Sequence, residues 1–223
     1  MTEQLIQNVK VEHIEKIIKL IQDKFPVFNN GTYFLEEKFA VENDIGFTNL
    51  RDFLTHVLSI INTRDEKDIF YENQLALAEE HLRRAIVEPF EFGAHIQIDK
   101  AKKAWEFFSS NVVPITELKE NENFNIIEDE KIRENFSRIY VLMRTGREKK
   151  TENVWNDDWE EGITKFVEAY ELAVDLTNII EANNNIYVKL NLHKKNRQYF
   201  WWAMIATFAF GVTGIILGIL SLL

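Results

Sequence analysis

Residues 201–223 read WWAMIATFAFGVTGIILGILSLL, 23 positions without one charge. As a helix rising about 1.5 Å per residue, this stretch spans roughly 34 Å, enough for a hydrocarbon core of roughly 30 Å. The mean hydropathy of the chain is only −0.23, so the apolarity is concentrated here. Helices buried in a protein core seldom stay apolar for so long. The flanks fit an interface between water and lipid. Tyr199, Phe200, Trp201 and Trp202 would form an aromatic belt, and Lys194, Lys195 and Arg197 precede it on the side that stays cytoplasmic.

The N-terminus, MTEQLIQNVKVEH, lacks the basic-then-apolar pattern of a secretory signal. The expectation is a tail-anchored, single-pass protein of the inner (cytoplasmic) membrane with its N-terminal part in the cytoplasm. Two glycosylation sequons, Asn30-Gly31-Thr32 and Asn135-Phe136-Ser137, carry no meaning on that side. Within the span, Gly214 and Gly218 form a GxxxG, and Thr207 and Gly211 stand four apart before it. Small residues at that spacing let helix backbones approach in lipid, though glycine is also common in membrane helices generally.

The rest reads as helix. Ile6, Val9, Ile14, Ile17, Ile18, Ile21 and Phe25 recur mostly every three or four residues, predicting a helix over 5–25 stopped by Pro26. Residues 27–47 read as a connection with one helical turn near 35–40. Leu50, Phe53, Leu54, Val57, Leu58 and Ile61 predict a helix over 49–62, with Thr48 as its cap. Further helices are expected over 65–88, ending at Pro89, over 96–109, and over 129–144 with Gly146 as the residue after its end. Pro114 and ENENFN read as a loop, and REKKTENVWND as a charged connection. No alternating strand is evident; VVPIT is short and carries a proline.

From Asp158 onward there is no proline, and no glycine between Gly162 and Gly211. One helix running to the C-terminus, roughly 100 Å long, is therefore expected, with Asn183, Asn184 and Asn185 as its weakest point. Ile163, Phe166, Tyr170, Ala173, Thr177 and Ile180 form a helix–helix seam. It faces either a sister chain or the chain's own core. The organisation is a helical domain over 1–150, a stalk over 151–197 and a transmembrane helix over 198–223.

Composition narrows the chemistry. There is no cysteine, so disulfides, thiolate metal sites and cysteine nucleophiles are excluded. The net charge is 26 − 36 = −10, which argues against a surface-wide nucleic-acid binder. His81-Leu82-Arg83-Arg84 is the basic patch that remains. Its histidine follows Glu79-Glu80 and reads as part of a solvated charged face. The five histidines show no HExxH or paired ligand spacing, and Walker A, GxGxxG and GxSxG sequences are absent, so no metal or cofactor is expected.

One constellation stands apart. Residues 51–56 read RDFLTH. Arg51 and His56 flank the polar side of their helix, off its apolar stripe. Asp52 and His56 are four apart, so the carboxylate would orient the imidazole.

The hexapeptide resembles the signature of the HEPN superfamily: an Arg, a polar residue, a few residues, then a His, opening a helix in a small all-α domain. The resemblance implies that two protomers join their motifs to cleave RNA without metal. It would make His56 the proton-transfer residue, Arg51 the clamp on the scissile phosphate and Asp52 the orienting group.

A HEPN-like body with one membrane helix also resembles small membrane accessory proteins of bacterial antiviral defence. These include proteins encoded beside RNA-guided, RNA-targeting CRISPR effectors, some of which carry a divergent HEPN domain and permeabilise membranes. The expected function is thus a homo-oligomeric, non-enzymatic membrane effector. A membrane-tethered ribonuclease and a tail-anchored adaptor are the alternatives. The implied partners are the lipid bilayer, further copies of the chain, and RNA or an RNA-guided effector protein, but not DNA.

Overall fold

The computed structural model describes residues 3–63, 68–111, 129–150 and 158–220, with side-chain surroundings for 11–63, 69–109, 130–150, 159–185, 192 and 195–207. Within these residues all regular structure is helical: α1 (Glu3–Phe39), α2 (Asp44–Asn62), α3 (Asp68–Asn111), α4 (Asp129–Lys150) and α5 (Asp158–Leu220). The all-α expectation holds. The ENENFN loop, Pro114 and most of the 147–157 connection lie outside the described residues.

Both expected proline stops are overturned. Pro26 lies inside α1 and Pro89 inside α3. An internal proline costs a helix about 3 kcal/mol. The turns that follow each proline bury large side chains: Phe28 and Leu35 after Pro26, and Phe90 and Ile98 after Pro89. Each such burial contributes about 1.5–3 kcal/mol, so packing outweighs the lost hydrogen bond. The helices expected over 65–88 and 96–109 are therefore one element, and most of the expected 27–47 connection is helix.

Helix α1 ends at Ala40, whose φ of 52° is left-handed and whose N–H still bonds to the Glu36 carbonyl at 3.0 Å. Asn43, rather than Thr48, caps α2. Its Oδ1 accepts from the Gly46 N–H at 2.9 Å, and its Nδ2 donates to Thr32 Oγ1 at 2.9 Å. A Cβ on Gly46 would lie 2.2 Å from Asn43 Nδ2, so this cap requires glycine.

Gly146 is not a helix end. It lies within α4, buried, where a Cβ would meet Phe166 Cε1 of α5 at 2.7 Å. A Cβ on Gly162 would likewise meet the Gly146 carbonyl oxygen at 3.0 Å. The two glycines let α4 and α5 approach closely as an antiparallel pair, with Lys149 bridging to Glu161 at 3.3 Å.

The described chain forms two compact units, Met1–Lys103 with Glu128–Thr177, and Ala104–Ile127 with Asn178–Leu223. In the first, Leu20, Ile60, Tyr71, Ile86, Ile139, Trp159 and Phe166 are fully enclosed. Phe34, Phe39 and Tyr170 meet edge to face, Phe90 lies tilted against Phe34, and Phe34 and Phe39 press on Gly93. In the second, Phe108 and Ile180 are buried.

The asparagine run does not interrupt α5. Asn183 Nδ2 donates to the Ile179 carbonyl at 2.7 Å and Asn184 Nδ2 to the Ala104 carbonyl at 3.5 Å, so both amide nitrogens find backbone partners without breaking the helix, while Asn184 Oδ1 is buried without a partner among the described residues. The seam question is also answered. Phe166, Ala173, Thr177 and Ile180 are buried within the single chain, so that stripe faces the chain's own core.

Among the described residues, no helix is long and apolar enough to cross a membrane. The described side chains of α5 end at Thr207, inside the apolar run, while its backbone remains helical to Leu220.

Candidate functional site

The RDFLTH segment occupies the middle of α2, whose inward face is Phe53, Val57 and Ile60. Arg51 projects outward with 72% of its side chain exposed, and its Nε and Nη2 both donate to Asp52 Oδ1, at 3.1 and 2.9 Å. His56 instead turns half-buried toward α3. Its Nδ1 lies 2.8 Å from Gln74 Oε1, and its ring stacks on His81 with centroids 5.3 Å apart and planes 17° from parallel.

The expected Asp52–His56 partnership is therefore not formed. Asp52 is taken by the guanidinium beside it, and Gln74 orients the imidazole. Because an amide oxygen only accepts, Nδ1 is the donor of this contact.

The polar contacts continue along the α2–α3 seam. His81 Nδ1 faces Asn49 Oδ1 at 3.5 Å, and Asn49 Nδ2 donates to Glu88 Oε2 at 3.1 Å and to the Ile45 carbonyl at 3.0 Å. His81 is thus half-buried and stacked, and its place on a solvated face is corrected. Beyond Glu88, a hollow of about 130 Å³ is lined by Arg83, Arg84, Val87, Glu88 and Lys150.

Sequence reasoning missed Gln74, His81, Asn49 and Glu88. A signal was present: Asn49 and His56 are seven apart, as are Gln74, His81 and Glu88. That is two turns, so each set lies on one helix face, and two such faces meeting make a polar seam.

A second cluster joins α3 to α4. Arg147 Nε donates to Glu91 Oε1 at 2.6 Å, Lys150 Nζ to Glu91 Oε2 at 2.5 Å, and Arg147 Nη2 to His95 Nε2 at 2.5 Å. Burial pushes the Glu91 carboxyl up, but the hydrogen bonds from Lys150 and Arg147 outweigh it and hold the group below its ordinary value. Burial, reinforced by the Arg147 cation, holds His95 below the usual imidazole range.

At the far end of the chain, Lys195, Arg197, Tyr199, Phe200, Trp201 and Trp202 are all exposed. Thr207 Oγ1 donates to the Ala203 carbonyl at 2.8 Å, so its hydroxyl needs no water. Lys194 lies outside the described side chains, as do the surroundings of Gly211, Gly214 and Gly218. Among the described residues, no group of three or more His, Asp or Glu side chains is placed to hold a metal ion.

The class defined so far is an all-α protein with a polar histidine seam between two of its helices and an exposed aromatic collar near the end of its longest helix. The chain matches no family model, no curated protein and no solved structure.

Proposed function

We propose that this protein is an oligomeric, non-enzymatic membrane effector or accessory protein of bacterial antiviral defence, which changes the permeability of the inner membrane. The observation that carries this reading is the end of α5. The helix is unbroken from Asp158 to Leu220, the sequence from Trp201 onward holds no charge, and the side chains leading into it are large, apolar or aromatic, and exposed. A helix satisfies its own backbone hydrogen bonds, which is what a segment in lipid must do. A bilayer would bury what the protein leaves bare, with the N-terminal body on the cytoplasmic side. With Thr207, Thr213 and Ser221 as the few polar residues of the segment, any channel it lined would be mostly apolar and would gate by dewetting.

Dye entry and depolarisation in bacteria expressing the full chain test this reading. Permeabilisation under activating conditions is the expected result. Intact membranes under those conditions would overturn it.

The histidine seam favours a second reading, a membrane-tethered, metal-independent ribonuclease. With Nδ1 donating to Gln74, His56 Nε2 would be the nitrogen that acts as base. It would take the proton of a ribose 2′-hydroxyl as that oxygen attacks phosphorus; the bond to the 5′-oxygen breaks, and the leaving oxygen takes a proton from water. Arg51, five residues earlier on the same helix and largely exposed, would steady the phosphate. Arg51→Ala and His56→Ala should then abolish RNA cleavage while leaving particle size unchanged. Cleavage that persists without His56 removes this reading. A chain that stays monomeric and affects neither membranes nor RNA would be the adaptor.

A further inference from the structure

Helices α4 and α5 lie antiparallel, and their outer face has a charge pattern that the core does not explain. Two hollows, of about 490 and 500 Å³, meet at Ser137 and Val141. The floor is apolar: Val141 is 61% exposed and Tyr140 is 48% exposed. One wall is acidic, with Glu168, Glu171 and Asp175 spaced three and four apart along α5. The other carries Arg133 and Arg144 on α4, the latter paired with Glu148 one turn on at 2.9 Å in an exposed ion pair that a partner's carboxylate can share. Lys102 of α3, over the Tyr140 ring at 5.4 Å, adds to the basic side. Two cations stand on the acidic side: Lys165, paired with Glu168 at 3.0 Å, and Arg138 of α4, which lines the same hollow, so three carboxylates there face two cations. Among the described residues, neither Glu171 nor Asp175 has a cation within ion-pair distance.

From this pattern we infer that the α4/α5 face is where two copies of this chain meet, basic wall against acidic wall. A surface with opposite charges on the two sides of an apolar floor is complementary to itself. Of the two in-plane two-fold axes, one runs along the helices and one across them. The axis along the helices lays each basic wall over the partner's acidic wall. The axis across them lays like charge over like charge, which is repelled. Charge therefore selects the arrangement in which both copies of residues 158–177 run in the same sense. Two chains entering one bilayer need that same sense. The inference rests on the oligomeric part of the function proposed above and gives it a surface.

The test uses the full chain in detergent, with particle mass measured by light scattering. One variant carries Arg133→Glu with Arg144→Glu, the other Glu171→Lys with Asp175→Lys. Each alone places like charges across the contact and should weaken self-association by about tenfold or more. Mixed together they again oppose unlike charges in both halves of the pair, and association should return to the wild-type level. Recovery on mixing also shows that both variants are folded.

If either double variant fails to fold, Arg144→Gln and Asp175→Asn replace them, with a smaller loss expected from each. Wild-type mass in each variant alone, no recovery on mixing, or a monomeric wild type would overturn the inference. Membrane permeabilisation is scored separately. A wild type that permeabilises while the charge variants keep its mass removes this surface and spares the function.

Discussion

The two ends of α5 have similar side chains in opposite surroundings. In its first turns Trp159, Phe166, Ala169 and Ala173 are 0% exposed, enclosed by the chain itself. Forty residues later, Tyr199 is 69% exposed, Trp202 70% and Ile205 55%. Aromatic and aliphatic groups are equally costly to leave in water at both places. Among the described residues, the protein supplies the non-aqueous medium for one end and not for the other, and lipid is the medium proposed for the second.

The largest test of that contrast removes one side of it. A chain ending at Gln198 should move from the membrane pellet to the supernatant, with its helical circular dichroism kept and permeabilisation lost. If the shortened chain still sediments with membranes, the body carries the attachment and the contrast is false.

The next tests exchange one aromatic at each end. Phe166→Ala empties a sealed site and should cost about 3–5 kcal/mol in urea unfolding of that shortened chain. Trp202→Ala in the full chain should change unfolding of the body by no more than about 0.5 kcal/mol, and instead weaken retention on vesicles. Equal effects on stability would mean that both ends are packed alike.

Gly146→Ala sharpens the picture of the enclosed end. The added methyl meets the Phe166 ring and should destabilise by about 1–3 kcal/mol. A neutral outcome would show that the α4–α5 contact can open by a few tenths of an ångström at no cost.

The smallest effect is a pH dependence. His95 and Glu91 both have folded-state values below their unfolded ones, so the unfolded chain binds more protons. The stability contributed by His95 is complete above the unfolded imidazole value and is lost as pH falls through its lowered one. The contribution of Glu91 is lost further into acid, below the ordinary carboxylate range. Urea midpoints should decline on acidification from neutral pH, and His95→Gln should flatten the upper part of that decline. An unchanged profile would detach His95 from the cluster.

Much of the fold was legible because helices write themselves locally. The rhythm of Leu50, Phe53, Leu54, Val57, Leu58 and Ile61 located α2, although Leu54, Leu58 and Ile61 are exposed and Ile60 is buried instead, and the lack of proline beyond Asp158 located α5. The prolines misled because a local rule met a tertiary gain: Phe28 and Ile98 had cores to enter, which Pro26 and Pro89 do not reveal. Gly146 misled in the same way, since a glycine after a helix and a glycine inside a tight crossing look alike in one dimension.

Of the candidate site, Arg51, Asp52 and His56 were visible as a motif. Their pairing was not. Asp52 had the right spacing for His56, but the neighbouring guanidinium took it, and Gln74 filled its place from another helix.

The sequence by itself determined that this chain is helical, that it has no cysteine chemistry and that its apolar residues gather at one end. Those properties depend on composition and on spacing along a single helix. Only the tertiary structure decided that His56 stacks on His81, that Glu91 gathers Arg147 and Lys150, and that the α5 seam is used up inside the chain. Each joins residues far apart in sequence, and which of several chemically suitable partners wins is set by the packing that brings one of them within hydrogen-bonding reach.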